Sequence, residues 1–76
     1  MSRNHQIAVD MIEARFLAFA SGKSSADLHA ETSMAIEMAY ALGAIGLDEH
    51  RHYVRRRHRI LEREHTEFMA RLPRSA

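Results

Sequence analysis

The sequence has no cysteine and no tryptophan, and only one proline, three glycines and five aromatic residues in 76 positions. Without cysteine there is no disulfide framework and no thiolate metal site, which suits a reducing compartment. With 12 alanines inside a hydrophobic share of 46%, the core is thinner than that share suggests, since each alanine buries little area. A monomer this small buries only about 60% of the surface its unfolded chain exposes, so self-association is the expected remedy. There is no long apolar run either. Met1-Ser2-Arg3-Asn4-His5 leads into apolar residues broken by Asp10, Glu13 and Arg15. A signal peptide and a membrane span both need an uninterrupted run, so the expectation is a cytoplasmic chain with no membrane partner.

The scarcity of glycine and proline also divides the chain. Gly22, Gly43, Gly46 and Pro73 are its breaks, and the stretches between them show helical spacing without strand alternation, repeat or low-complexity segment. The fold class expected is all-α in a single domain. A first helix starts at Ser2 or Asn4 and runs to about residue 20. A second covers about 25–42, with Ser24 and Asp27 as its capping box. A third covers about 49–72, capped by Asp48 with Glu49 at the positive end of its dipole, and a tail follows at 73–76. The last two helices form an antiparallel helical hairpin, completed by homodimerisation.

The apolar arc of the first helix is wide. Ile7, Met11, Ala14 and Ala18 share one face, and Ala8, Ile12, Phe16 and Phe19 lie beside them. One packing partner needs less than that, so one flank is expected to face the chain's own helices and another a second copy or a target. Ile12, Phe16 and Phe19 are the expected anchors of that outer contact. In the second helix, Leu28, Ala35 and Leu42, with Glu31, Met38 and Ile45, repeat at seven and predict the hairpin seam, widened by Met34 and Ala41. Its methionines are expected in the core, and Tyr40 beside the seam, half exposed, as an interface anchor.

The third helix holds the strongest pattern. Tyr53, Val54, Ile60, Leu61, Phe68 and Leu72 share its apolar face, while Arg51, Arg55, Arg59 and Arg63 form an i, i+4 row about 18 Å long. Between Arg51 and Arg59 stand five arginines, Arg56 and Arg57 among them, and no acid. Net charge is only +1, yet it is uneven: residues 1–46 carry three basic and five acidic side chains, residues 47–76 eight and five. Such a row faces negative charge on a partner.

The run Tyr40-Ala41-Leu42-Gly43-Ala44-Ile45-Gly46-Leu47-Asp48, with Tyr53 and Arg57 after it, resembles the hairpin corner of very small phage and prophage proteins. The resemblance spans residues 40–57 and carries no functional residue. It implies a fold of two or three helices, a homodimer, and binding to a host protein that it blocks.

Other constellations are weighed against plainer readings. His58, Glu62 and His65 lie on one side of the third helix at spacings four and three, and could offer three ligands to a divalent ion. They sit on its polar side, so solvated histidines are the plainer reading and no metal or cofactor is expected. His50, Arg57 and Glu64 repeat at seven inside the apolar face. Either the face has a wet edge there, or Arg57 and Glu64 are buried and paired with each other's symmetry mates, with Arg15 or with Glu31, in an ionic layer that fixes register across a dimer. No nucleophile stands at a fixed spacing from these groups, so an enzyme is not expected. The function expected is protein–protein interaction: a host-directed adaptor or inhibitor, acting by steric occlusion, with Arg51, Arg55, Arg56, Arg59, Arg63 and Tyr40 meeting an acidic surface. The alternative is a small DNA- or RNA-binding regulator using the same row, which the small net charge and Glu62, Glu64 and Glu67 disfavour.

Overall fold

The computed structural model describes residues 3–73; the alternative helix start at Ser2 and the tail beyond Pro73 lie outside them. Among the described residues there are three helices and no strand: α1 Arg3–Ala20, α2 Ala26–Ala41 and α3 Leu47–Arg71. None of the three is long and apolar enough to cross a membrane.

Two glycines end the first two helices in the same way. Gly22 and Gly43 have φ of 84° and 73°, the left-handed region that a side chain disfavours. At the first turn Gly22 N–H donates to Phe19 O and Lys23 N–H to Ala18 O; at the second, Gly43 N–H donates to Tyr40 O and Ala44 N–H to Ala39 O. These are Schellman closures, which satisfy carbonyls that the helix end would otherwise leave open. A Cβ at Gly43 would meet nothing within 4 Å, so only its backbone is constrained. Gly43→Ala should therefore lower stability by about 1–2 kcal/mol, read from the urea midpoint at unchanged slope.

The starts differ from expectation. Ser25, not Ser24, caps α2, its hydroxyl accepting from Leu28 N–H at 3.0 Å. Helix α3 begins two residues early: Gly46 is its cap, and Glu49 reaches back to accept Gly46 N–H at 3.1 Å. Asp48 sits inside the first turn instead, where its charge still suits the dipole. The turn is that short because Ile45 is drawn into the core and the chain must reverse at once.

The core is Ile12, Phe16 and Phe19 from α1, Thr32, Ile36 and Ala39 from α2, Ile45 from the turn and Tyr53 from α3. Thr32 is fully buried because its hydroxyl donates to Leu28 O at 2.7 Å, leaving no donor unmet. The α2 seam is thus turned from the expected one, running through Thr32, Ile36 and Ala39. Met34, Met38 and Leu42, expected inside, are exposed. The backbones of α1 and α2 pack closely, as do those of α2 and α3, while α1 and α3 meet through long side chains. Contacts pair Glu37 with His50 near the turn and His29 with Glu64 farther from it, so α2 and α3 run in opposite senses. At 25 residues α3 is nine longer than α2. Its last turns outrun the other helices, which is why Phe68 and Leu72, expected on a buried face, are open to solvent; Leu61, expected there too, lies before Glu64 and is 36% exposed.

Candidate interaction surface

Of the apolar face predicted for α3, Tyr53 is buried and Val54 and Ile60 pack on the core's edge. Beside that narrow apolar contact, polar clasps join α3 to both other helices. The strongest is on α1: Arg56 Nη1 donates to both Glu13 oxygens, at 2.9 and 3.0 Å, and the guanidinium lies 4.2 Å above the Phe16 ring. Tyr53 stacks on the other side of that cluster, 5.9 Å from Phe16, and its hydroxyl donates to Glu13. A planar guanidinium suits both contacts, the carboxylate fork and the aromatic face. Arg56, expected from its spacing to meet a partner, is thus paired within the molecule, to Glu13. Burial, and then the Glu13 carboxylate, push the Tyr53 hydroxyl above its ordinary pKa.

Three further clasps each join a histidine to a glutamate on another helix: His5 with Glu49 at 2.7 Å, His29 with Glu64 at 2.9 Å and His50 with Glu37 at 2.8 Å. Each histidine is mostly shielded and each glutamate more open. His29 also packs on Phe19 and His50 on Tyr40, with ring centroids 4.5 and 4.4 Å apart. Tyr40 is thus partly covered by its own chain. These pairs are separated by 44, 35 and 13 residues, so no local spacing announces them. The one available signal is the count: six histidines in 76 residues.

Within one chain, among the described residues, no ion pair joins Arg15, Arg57 and Glu64 to one another. Arg15 lies along α1, donating to Met11 O and facing Glu31 at 3.4 Å. Glu64 turns to His29, and Arg57, half-buried, has no ion-pair partner among the described residues. Glu64 instead joins Ser24 and His29, a serine–histidine–carboxylate trio that spacing did not reveal. Both Ser24 and Glu64 approach His29 through Nε2, whereas a nucleophilic triad uses opposite ring nitrogens. The trio is a clasp that pins the loop before α2 to the C-terminal half of α3.

Glu49 and Glu64 are held below the ordinary carboxylate range. For Glu49 the cause is first the Gly46 amide and then His5, against a smaller cost of burial; for Glu64 it is first the Ser24 hydroxyl, which outweighs the cost of burial, with His29 adding a smaller pull in the same direction. A depressed folded pKa means these carboxylates stabilise the fold above about pH 4.5, and that support fades as pH falls from there through the folded values. Glu64→Gln should flatten the acid side of the stability profile. Urea midpoints measured from pH 6 down to pH 3 check it, and parallel curves for the two proteins would assign acid sensitivity elsewhere.

The rest of the predicted site divides in two. Arg51, Arg55, Arg59 and Arg63 are solvent-exposed along α3, and the first three have no hydrogen bond or ion pair among the described residues. A shallow hollow beside them is lined by Val54, Arg55, His58, Arg59 and Glu62. His65 is not part of it, and among the described residues no three histidine, aspartate or glutamate side chains gather as a metal site. Ile12, Phe16 and Phe19 lie in the core, so they cannot anchor a second chain. Packing against α2 and Tyr53 has claimed that flank of α1. The flank left open carries Ile7 and Met11, and together with Met38 and Leu42 of α2 it forms an apolar groove. The chain matches no protein-family model, no curated protein and no solved structure.

Proposed function

We propose that this chain is a protein-interaction module, a small adaptor or inhibitor that acts by occupying an acidic surface of a larger partner. The observation that supports it most is the ridge of Arg51, Arg55 and Arg59, exposed and without an ion pair among the described residues, beside an Arg56 that does have one. Four neighbouring arginines of one helix thus have different employment, and the three open ones are free to meet carboxylates with bidentate geometry. The likeness of residues 40–57 to the corner of small phage proteins points to a host protein as that partner and to a phage as the source. An antiparallel α2–α3 hairpin completed by homodimerisation is the working assembly, and the cytoplasm its location. The α1–α2 groove supports this, since a module with two open surfaces can join to itself with one and to a partner with the other.

The same ridge supports a second reading, a small DNA- or RNA-binding regulator with the arginines on phosphates. Affinity capture of the tagged protein from bacterial lysate, with and without nuclease, separates the two. A stoichiometric protein that survives nuclease supports the module. Recovery of nucleic acid, with proteins lost on nuclease treatment, would sink it and promote the regulator.

A further inference from the structure

We infer that the groove between α1 and α2 is the seat of a second copy of this chain, placed across a two-fold axis. The inference rests on the homodimer of the proposed function and identifies its interface, which the α1 residues expected from sequence do not form.

The groove holds about 450 Å³. Its floor is small, with Ala8, Ala35 and Ala39, and its walls are long and flexible, with Met11, Met38 and Leu42. Those walls are half or more exposed, 50%, 53% and 79% respectively. No residue of α3 lines it, and no lining residue is charged. Nothing in the chain itself covers this face among the described residues.

Three observations choose the occupant. The first is area. The chain exposes 5865 Å², whereas a compact monomer of 8.7 kDa exposes about 4,700 Å² by the scaling of folded proteins. The excess of about 1,100 Å², which this face shares with the projecting end of α3, leaves room for the patch of about 800 Å² that each partner of a stable dimer covers. The second is charge. The partner of the arginine ridge must be acidic, and an acidic surface would find no counter-charge in this groove. An identical groove brings no charge and meets no like-charge repulsion. The third is shape. An isologous contact needs a patch complementary to itself, and long walls beside a floor of alanines provide knobs and holes in one surface. Methionine adapts readily to such a fit. Since α3 takes no part in the groove, the pair would place both α3 helices and both arginine ridges on its outside, so one dimer offers two contacts to a partner and gains avidity.

Sedimentation equilibrium across a wide concentration range tests this on the full chain, with Met38→Glu and Phe68→Glu compared and circular dichroism reporting helix. Wild type should be a dimer. Met38→Glu should weaken it by at least about 100-fold with helicity kept, since each interface would bury two unpaired charges. Phe68→Glu, changed at the exposed end of α3, should leave it intact. A monomeric wild type overturns the inference and the homodimer together, while leaving capture through the arginine ridge to be decided separately. A dimer broken by Phe68→Glu and spared by Met38→Glu overturns the inference alone. Should Met38→Glu unfold, Met38→Cys is the second probe, as the chain has no other cysteine. A short bismaleimide should then link two copies through residue 38 and fail to link Phe68→Cys; the reverse pattern overturns the groove as the interface.

Discussion

Phe16→Ala should remove about 3–5 kcal/mol, a large share of the stability of the chain. The ring is 3% exposed and is the one side chain on which all the loosely attached parts converge. Phe19 lies 6.2 Å from it within α1, Tyr53 of α3 stacks on it, and Arg56 perches over its face while gripping Glu13. Truncating a buried phenylalanine costs about 3–5 kcal/mol through lost transfer energy and the cavity left behind. A domain of 76 residues has about 4–11 kcal/mol to lose. Because α3 buries little else, the loss falls on the docking of the longest helix. Thermal and urea unfolding by circular dichroism, at one protein concentration so that association does not shift the midpoint, measure it. Leu17→Ala, its exposed neighbour at 70%, should change stability by less than about 0.5 kcal/mol. Equal effects from the two would mean that α3 is not seated on Phe16.

That contrast between neighbours shows what the chain discloses before folding. The breaks were legible because their cause is local: Gly22 and Gly43 are the residues that adopt positive φ at no steric cost, and both end a helix. The width of the α1 arc was legible too, and so was its division into an inner and an outer flank. Which flank was inner was not, since spacing ranks Ile7 and Met11 equally with Ile12 and Phe16. The partner decides, and α2 chose the aromatic side.

The α2 seam was misplaced for a related reason. Counting apolar residues favours Met34, Met38 and Leu42 over Thr32, but a threonine that bonds its own helix can be buried without penalty. The extent of α3 burial was overestimated because helix length was read without reference to α2, nine residues shorter. The glutamate partners of the histidines are not legible in the sequence. His29 and His50 work through glutamates on another helix, and a wheel drawn for one helix at a time contains no such information. The heptad His50, Arg57, Glu64 did mark the right face of α3, and two of its three members do make interhelical clasps, although with partners other than those expected.

The largest expected effect on function follows from the same distinction between employed and open arginines. In the capture assay, the triple reversal Arg51→Glu, Arg55→Glu, Arg59→Glu should reduce partner recovery by at least about 100-fold, as loss of central arginines does at protein interfaces. Its melting temperature should stay within a few degrees of wild type, because these side chains are exposed and hold no acid in place. Arg56→Glu is the opposite case. It would set a carboxylate against Glu13 and remove the guanidinium from Phe16, so the fold itself should weaken. Salt then separates the two readings of the ridge. Contacts to phosphates would make log affinity fall linearly and steeply with log salt. A protein interface with an apolar centre would respond less, and the variant would lose mainly association rate. Full recovery of the partner by the triple variant would remove the ridge from the contact. The surface would then have to be the other open part of α3, its projecting end with Phe68, Met69 and Leu72, where apolar area rather than charge would set affinity.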